Sequence, residues 1–299
     1  MSVLELPVII APMFLVSTPK MVIEAGKAGV IGSFPLLNAR PIEACGEWLQ
    51  EVKEALGEKP WAVNFICHRG SNKRYDDDLE MIRQYEPPIV ITSLGSPAET
   101  LEIVHGYGGL VYSDVANVKH AKKAAASGVD GLILVCAGAG GHGGMLNPFA
   151  FIAAVKKFYS GTIILSGSLS TGADVAAAKL MGADYAYMGT RFLAAEESSA
   201  PEDYKQMVID STVEDVLYTD SFSGVPVNVL VPSLLKQGID PTALKPKSEV
   251  DLSHLVNAKA WRDIWSAGHG VTTITKRETT KEIVESLLAE YKNAIAHLS

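Results

Sequence analysis

Residues 162–192 read TIILSGSLSTGADVAAAKLMGADYAYMGTRF, and their order decides the fold. Thr162–Leu165 is short, apolar and not alternating, as expected of a parallel strand covered on both faces. A turn of small residues runs from Ser166 to Gly172, and the Ala-, Lys- and Leu-rich stretch over 172–181 predicts a helix. Tyr185–Met188 then predicts a second strand. Working outward, the same unit recurs towards the N-terminus. Strands are predicted at Val8–Ala11, Val30–Ser33, Trp61–Asn64, Ile89–Thr92, Leu110–Ser113 and Leu132–Val135. Between them, 41–56 predicts a helix with Pro41 in its first turn and Ile42, Cys45, Trp48, Leu49, Val52 and Leu56 on one face. A further helix is predicted over 116–127. Eight strands with intervening helices predict a (β/α)8 TIM barrel in the α/β class. A doubly wound sheet stays open on this pattern, but the even spacing favours closure.

The regularity breaks after residue 200. Gly224, Pro226, Pro232, Gly238, Pro241 and Pro246 punctuate a stretch with only short apolar runs. It reads as a decorating segment, 201–257, inserted after strand eight and packed over the barrel mouth. Residues 1–200 would form the barrel, and 258–299 a C-terminal segment that completes it. The chain resumes over Asn257–Ala267. A last helix is predicted over Thr280–His297, with Ile283, Val284, Leu287, Leu288, Tyr291 and Ile295 as its buried stripe.

The whole chain has 299 residues, 47% of them hydrophobic and 20% charged, which excludes intrinsic disorder. The apolar stretch from Val8 to Val16 is far short of the roughly 20 residues of a membrane span and contains Pro12. No basic flank precedes it, so no signal peptide is expected. With 34 acidic and 26 basic residues the net charge is −8, which argues against a nucleic-acid partner. The basic cluster His68, Arg69, Lys73 and Arg74 is followed at once by Asp76, Asp77 and Asp78. Cys45, Cys67 and Cys136 are too few and too scattered for a disulfide framework or zinc knuckle, so a reducing, cytoplasmic setting is expected. No His and carboxylate pair has metal-ligand spacing, and no metal is expected.

Function in a barrel belongs at the C-terminal ends of its strands. After strand six comes Ala137-Gly138-Ala139-Gly140-Gly141-His142-Gly143-Gly144. Five glycines in these eight residues let the backbone approach a flat ligand, with His142 placed at the mouth. The alternative is a Gly-rich turn carrying an incidental solvated histidine. After strand seven come Ser166, Gly167 and Ser168, and after strand eight Gly189 and Thr190. Loops seven and eight form a phosphate site in many barrels, from backbone N–H groups that small residues leave accessible. Each loop alone also makes an ordinary tight turn. Ala11-Pro12-Met13 ends strand one and Asn64 ends strand three, where an amide can bond a ligand or a neighbouring loop.

Together these motifs carry a resemblance. APM after strand one, VN after strand three, AGGH after strand six, SG after strand seven, MGTRF after strand eight and Trp265-Ser266-Ala267-Gly268 near the end are similar to the nitronate monooxygenase (2-nitropropane dioxygenase-like) family. That resemblance spans nearly the whole chain and implies an FMN-dependent barrel. It implies that Ala11, Pro12 and Met13 line the flavin ring, that Asn64 contacts it, and that Gly140 and Gly141 pass close to it. Ser166, Gly167, Ser168, Gly189 and Thr190 would hold the phosphate, and Ser266, Ala267 and Gly268 would close the site. His142 matches the family's active-site histidine. Three positions depart from the pattern. Gly138 replaces an acidic residue, Ser168 replaces a glycine, and Asp114 stands at the end of strand five where relatives carry Lys or Gln. A carboxylate there disfavours an anionic reduced flavin.

The implied activity is oxidation of an alkyl nitronate with O2 to a carbonyl compound and nitrite, with His142 as base or anion partner. The alternatives are an NAD(P)H-dependent FMN reductase of quinones or enoyl-thioesters and, more distantly, a non-redox phosphate-binding isomerase or lyase. No strand here is followed by G-x-G-x-x-G, so no separate nicotinamide domain is expected. His68, just past strand three, and Phe222, in the decorating segment, are candidate substrate contacts, although loop residues and an ordinary turn explain them equally well. His269, beside the C-terminal flavin segment, has the same standing as His68. His105, His120, His254 and His297 read as solvated or core histidines, and Cys136 has no basic neighbour in sequence to activate it. Homo-oligomerisation is left open.

Overall fold

The computed structural model describes residues 4–222, 224–247 and 263–297. Strands β1 (Val8–Ile10), β2 (Ser33–Pro35), β3 (Ala62–Ile66), β4 (Ile89–Ser93), β5 (Leu110–Val115), β6 (Gly131–Val135), β8 (Thr162–Ser166) and β9 (Tyr185–Met188) form one parallel sheet, while β7 (Gly141–His142) leaves it. The order β1-β9-β8-β6-β5-β4-β3-β2 is that of a barrel. A parallel bridge between Ile9 and Ile31 closes it, supported by the Ile10 N–H donating to Ile31 O at 2.8 Å. The architecture is a (β/α)8 barrel, as the spacing of the strands predicts.

Alternation along each strand divides two cores. Inward positions such as Ile9, Ala62, Ile91, Tyr112, Ile133 and Ile164 fill the barrel. Outward positions such as Val63, Val90, Val111, Leu132 and Leu165 pack against the helices, where Cys45, Leu49, Val52 and Leu56 of Ile42–Leu56 meet them. Pro41 proves to be the N-cap of that helix rather than a residue of its first turn. The helix Gly172–Met181 has its predicted ends, set by a Thr171/Asp174 capping box and by Gly182 in left-handed conformation. The C-terminal helix, Thr280–Ala296, packs on that helix and on Pro19–Ala28, burying Ile283, Val284 and Leu287. Leu288 and Tyr291 are partly covered, whereas Ile295 is exposed near the end of the helix, beyond the buried contacts.

The segment after β9 is more ordered than its composition suggests. It holds the helix Glu202–Asp210, the strands β10 (Val216–Thr219) and β11 (Val227–Leu230), and the helix Val231–Lys236. β10 and β11 pair antiparallel, and β11 pairs with β7, matching Val227 to His142 and Asn228 to Gly141. A three-stranded sheet thus roofs the barrel mouth. The expected boundary at 257, with the beginning of the Asn257–Ala267 stretch, lies outside the described residues. No described helix is long and apolar enough to cross a membrane.

Candidate active site

At the C-terminal ends of the strands lies a cavity of about 750 Å3, of a size that takes a cofactor and a small ligand together. Its floor is made by inward residues near the C-terminal ends of the strands: Asn64 of β3, Ser93 of β4, Asp114 of β5, Ser166 of β8 and Tyr187 of β9. Asn64 Nδ2 donates to Ser93 Oγ at 2.8 Å and to Ile91 O at 3.1 Å, and Ser93 Oγ donates to Asp114 Oδ2. Asp114 Oδ1 and the Tyr187 hydroxyl are buried without a protein partner. Burial raises the Asp114 carboxyl to about 6, against a smaller opposing effect of the Ser93 bond. The Tyr187 phenol is raised first by burial and then by the nearby Asp114 charge.

The roof carries His142, half-buried and facing the cavity from β7. A knot of polar contacts holds this strand. Ser266 Oγ accepts from the Gly141 N–H at 2.7 Å and donates to Asn228 O, while Asn228 Nδ2 donates to Ala139 O at 2.6 Å. The Tyr204 hydroxyl bonds Ser266 O, and its ring stacks on Trp265 with centroids 4.9 Å apart. Gly268 N–H donates to Thr190 Oγ1 at 2.9 Å, joining the C-terminal segment to the loop after β9. Arg191 and Glu278, both nearly buried, make a second tie at 2.8 Å.

Two glycines explain why this meeting works. A Cβ on Gly268 would stand 2.4 Å from Gly138 O, so the two backbones touch directly. Gly138 has φ +80°, and a Cβ there would fall 2.1 Å from Ser168 Oγ and 2.7 Å from His269 Nδ1. The acidic residue of the family pattern has no room at Gly138.

The wall between floor and roof is the pair of loops after β8 and β9. Among the described residues, the N–H groups of Gly167, Ser168 and Gly189 donate to no protein acceptor, which leaves them for an anion. Ser168 holds φ +61° without being glycine, its Oγ donating to Ala137 O at 3.2 Å. Ala11, Pro12, Met13, Gly140, Gly141, Thr190, Ser266 and Gly268 also line the cavity. The free donors, the two orphaned polar atoms on the floor and the cavity volume fit a phosphorylated, flat cofactor such as FMN.

Three expected site residues lie elsewhere. His68 is exposed and pairs through Nδ1 with Ser71 Oγ at 2.8 Å, because β3 runs on to Ile66 and the chain has turned outward by Cys67. Phe222 packs into the small core beneath the roof hairpin, and Val225 reaches the cavity instead. Ala267 is fully buried among Tyr204, Trp265 and Val271, pointing away from the cavity that its neighbours Ser266 and Gly268 line. His120, read as an ordinary helix histidine, stands on the cavity's outer wall with Lys123, whereas His269 is exposed beside Gly138. His105 pairs with Asp130 at 2.9 Å, and His254 lies outside the described residues. All three cysteines are free and buried, their thiols pushed up to about 12, chiefly by burial. Sequence reasoning missed Tyr187, Tyr204 and Asn228. An asparagine inside the apolar run VNVL is a signal for a buried polar role, and Tyr187 shares the inward parity of Tyr185.

Residues 23–290 match the family model of nitronate monooxygenase. A nitronate monooxygenase of Paraburkholderia phytofirmans is 26% identical, the alignment covering 99% of this chain and 94% of the relative. A Mycobacterium tuberculosis protein named (3aS,4S,5R,7aS)-5-hydroxy-7a-methyl-1-oxo-octahydro-1H-indene-4-carboxyl-CoA dehydrogenase is also 26% identical, over 78% of this chain and 65% of that one. Among solved structures, a nitroalkane oxidase of Streptomyces ansochromogenes superposes with a TM-score of 0.84 at 23% identity, covering 99% of both chains, a likeness of fold. Fold and family together define an oxidoreductase of the (β/α)8-barrel type, which sets aside the non-redox isomerase or lyase. The chain belongs to the nitronate monooxygenase family.

Proposed function

We propose that this chain is an FMN-dependent monooxygenase that oxidises small alkyl nitronates with O2 to a carbonyl compound and nitrite. The observation that carries the reading is His142, held by the Gly141–Ser266–Asn228 knot over a cavity whose wall presents free N–H donors. Gly167, Ser168, Gly189 and Thr190 would hold the cofactor phosphate, with Ser166 beside them. Ala11, Pro12, Met13, Asn64, Gly140 and Gly141 would contact its ring, and Ser266 and Gly268 would close over it. When bound, FMN would supply the electron transfer between substrate and O2. His142 either takes the C–H proton of a neutral nitroalkane or bonds the nitronate oxygen, roles within the reach of an imidazole near neutral pH. In this reading residues 1–200 form the barrel, 201–257 its cover and 258–299 the closing segment. Three free cysteines fit a reducing cytoplasmic setting.

The resemblance to a CoA dehydrogenase favours a second reading, an NAD(P)H-dependent FMN reductase of quinones or enoyl-thioesters. Anaerobic mixing of the purified flavoprotein with a nitronate, NADH or NADPH separates the two. Bleaching of the flavin by the nitronate, with slow or negligible bleaching by the nicotinamides, is the expected result. Rapid bleaching by NADH or NADPH assigns the reductase instead.

A further inference from the structure

Burial makes unpaired polar atoms expensive, because a buried donor or acceptor left without a partner costs about 1–3 kcal/mol. Two such atoms lie on this floor, Asp114 Oδ1 and the Tyr187 hydroxyl, near enough for the Asp114 charge to act on the phenol. Tyr187 is 7% exposed, and both residues line the cavity. Asn64 and Ser93 already spend their donors within the floor, on Ile91 O, on each other and on Asp114 Oδ2. What occupies the cavity therefore has to satisfy Asp114 Oδ1 and Tyr187 itself.

The charges around Asp114 decide which chemistry that is. No cation acts on its carboxyl: burial raises it to about 6, and only the neutral Ser93 hydroxyl opposes this. The other titratable groups on the cavity are Tyr187 on β9, His142 on the roof with Tyr204 behind it, and His120 and Lys123 on the outer wall. An occupant laid on the floor removes the remaining water and disfavours the carboxylate further. A carboxyl kept neutral by an apolar site donates a hydrogen bond, and a tyrosine beside it completes a two-donor oxyanion site.

We propose that Asp114, as a neutral carboxylic acid, and Tyr187 form a two-donor site on the cavity floor that binds a carbonyl-type oxygen of the occupant. Resting on the FMN reading above, that oxygen belongs to a ring carbonyl of the cofactor. The site answers the missing cation of the family pattern. Negative charge building on such a carbonyl meets two hydrogen-bond donors rather than a carboxylate. It makes Asp114 and Tyr187 positioning residues for the ring, with the electronic consequence following from the two bonds.

Vibrational spectroscopy of the holoprotein tests this without an activity assay. With FMN isotope-labelled at its ring carbonyls, the wild-type protein should show a carbonyl band lowered in frequency and a protonated-carboxyl band. Asp114→Ala and Tyr187→Phe should each move the carbonyl band back towards that of free FMN. Each should also weaken FMN binding by about tenfold, roughly one hydrogen bond. Asp114→Asn, which keeps an N–H donor, should retain the lowered carbonyl band while losing the carboxyl band. Raising the pH should reverse the shift in the wild-type protein and not in Asp114→Asn. Carbonyl bands unchanged in both Asp114→Ala and Tyr187→Phe overturn the proposal and leave the flavin reading standing. A purified chain that binds no FMN overturns both.

Discussion

The floor and the roof of the cavity are made from the same chain by opposite means. On the floor, Asn64, Ser93, Asp114, Ser166 and Tyr187 are each an inward residue near the C-terminal end of a parallel strand, and their height is set by the register of the barrel. On the roof, His142 sits on a two-residue strand that exists only because β11, more than eighty residues later, pairs with it. Ser266, from a third segment, bonds both partners. A floor position thus survives any loop change that preserves the barrel, while the roof depends on three segments meeting. Variability of chemistry on a shared barrel has a physical source in that difference, since the roof can be rebuilt without touching the strands.

The comparison can be broken most sharply at the roof. His142→Asn should keep FMN, because the proposed phosphate donors lie in the wall loops, yet lose about 100- to 10,000-fold in rate with a neutral nitroalkane. With a preformed nitronate the loss should be much smaller. Equal losses in the two steady-state assays would make His142 a positioning residue, and no loss would remove it from the mechanism.

The floor should respond in stability instead. Ile164 is fully buried inside the barrel beneath Ser166, and Ile164→Ala should cost about 2–5 kcal/mol in denaturant unfolding. A cost below about 1 kcal/mol would mean that the barrel interior is not the rigid base described here.

At the wall, a Cβ on Gly189 would make only ordinary contacts, at 3.5 Å from Ala11 Cβ and 3.6 Å from Met13. Gly189→Leu should therefore fold normally while its side chain fills cofactor space, weakening FMN by roughly 5- to 150-fold, the scale of overpacking. A folded variant with full FMN stoichiometry and unchanged affinity would place the phosphate elsewhere.

The smallest effect expected is at the hairpin. Asn228→Ala leaves Ala139 O without its donor and should lower stability by about 1–3 kcal/mol in a thermal or denaturant melt. The same variant should raise KM for substrate more than it lowers the FMN content. Loss of FMN in parallel with stability would mean that floor and roof are not separable.

How much of this was legible in the sequence differs between the same two regions. Strand positions at the floor were readable because an apolar run such as Thr162–Leu165, between a turn and a capped helix, has few other uses; the observed strand ends one residue later, at Ser166. The wall loops were readable because small residues at Gly167 and Gly189 serve close approach wherever the strands end. At β2 the prediction of Val30–Ser33 was early by a few residues, since Ile31 makes the closing bridge but the ladder proper runs over Ser33–Pro35. His68 was misjudged by a similar shift, as two further residues in β3 carry it past the mouth.

Local sequence determined the barrel, its helix ends and the loops that can meet a phosphate, because these follow from periodicity, capping and backbone freedom within a few residues. It also placed a histidine in a glycine-rich loop, with no means of saying where the ring would go. Tertiary structure alone decided that. Gly141 and His142 become a strand only when Val227 and Asn228 arrive, and a two-residue strand has no pattern of its own to read. The same holds for Asp114 and Tyr187, 73 positions apart, which the barrel brings to one cavity floor with a polar atom of each buried. Burial and pairing between distant segments are collective properties of the packed chain, and they set the chemistry of this site.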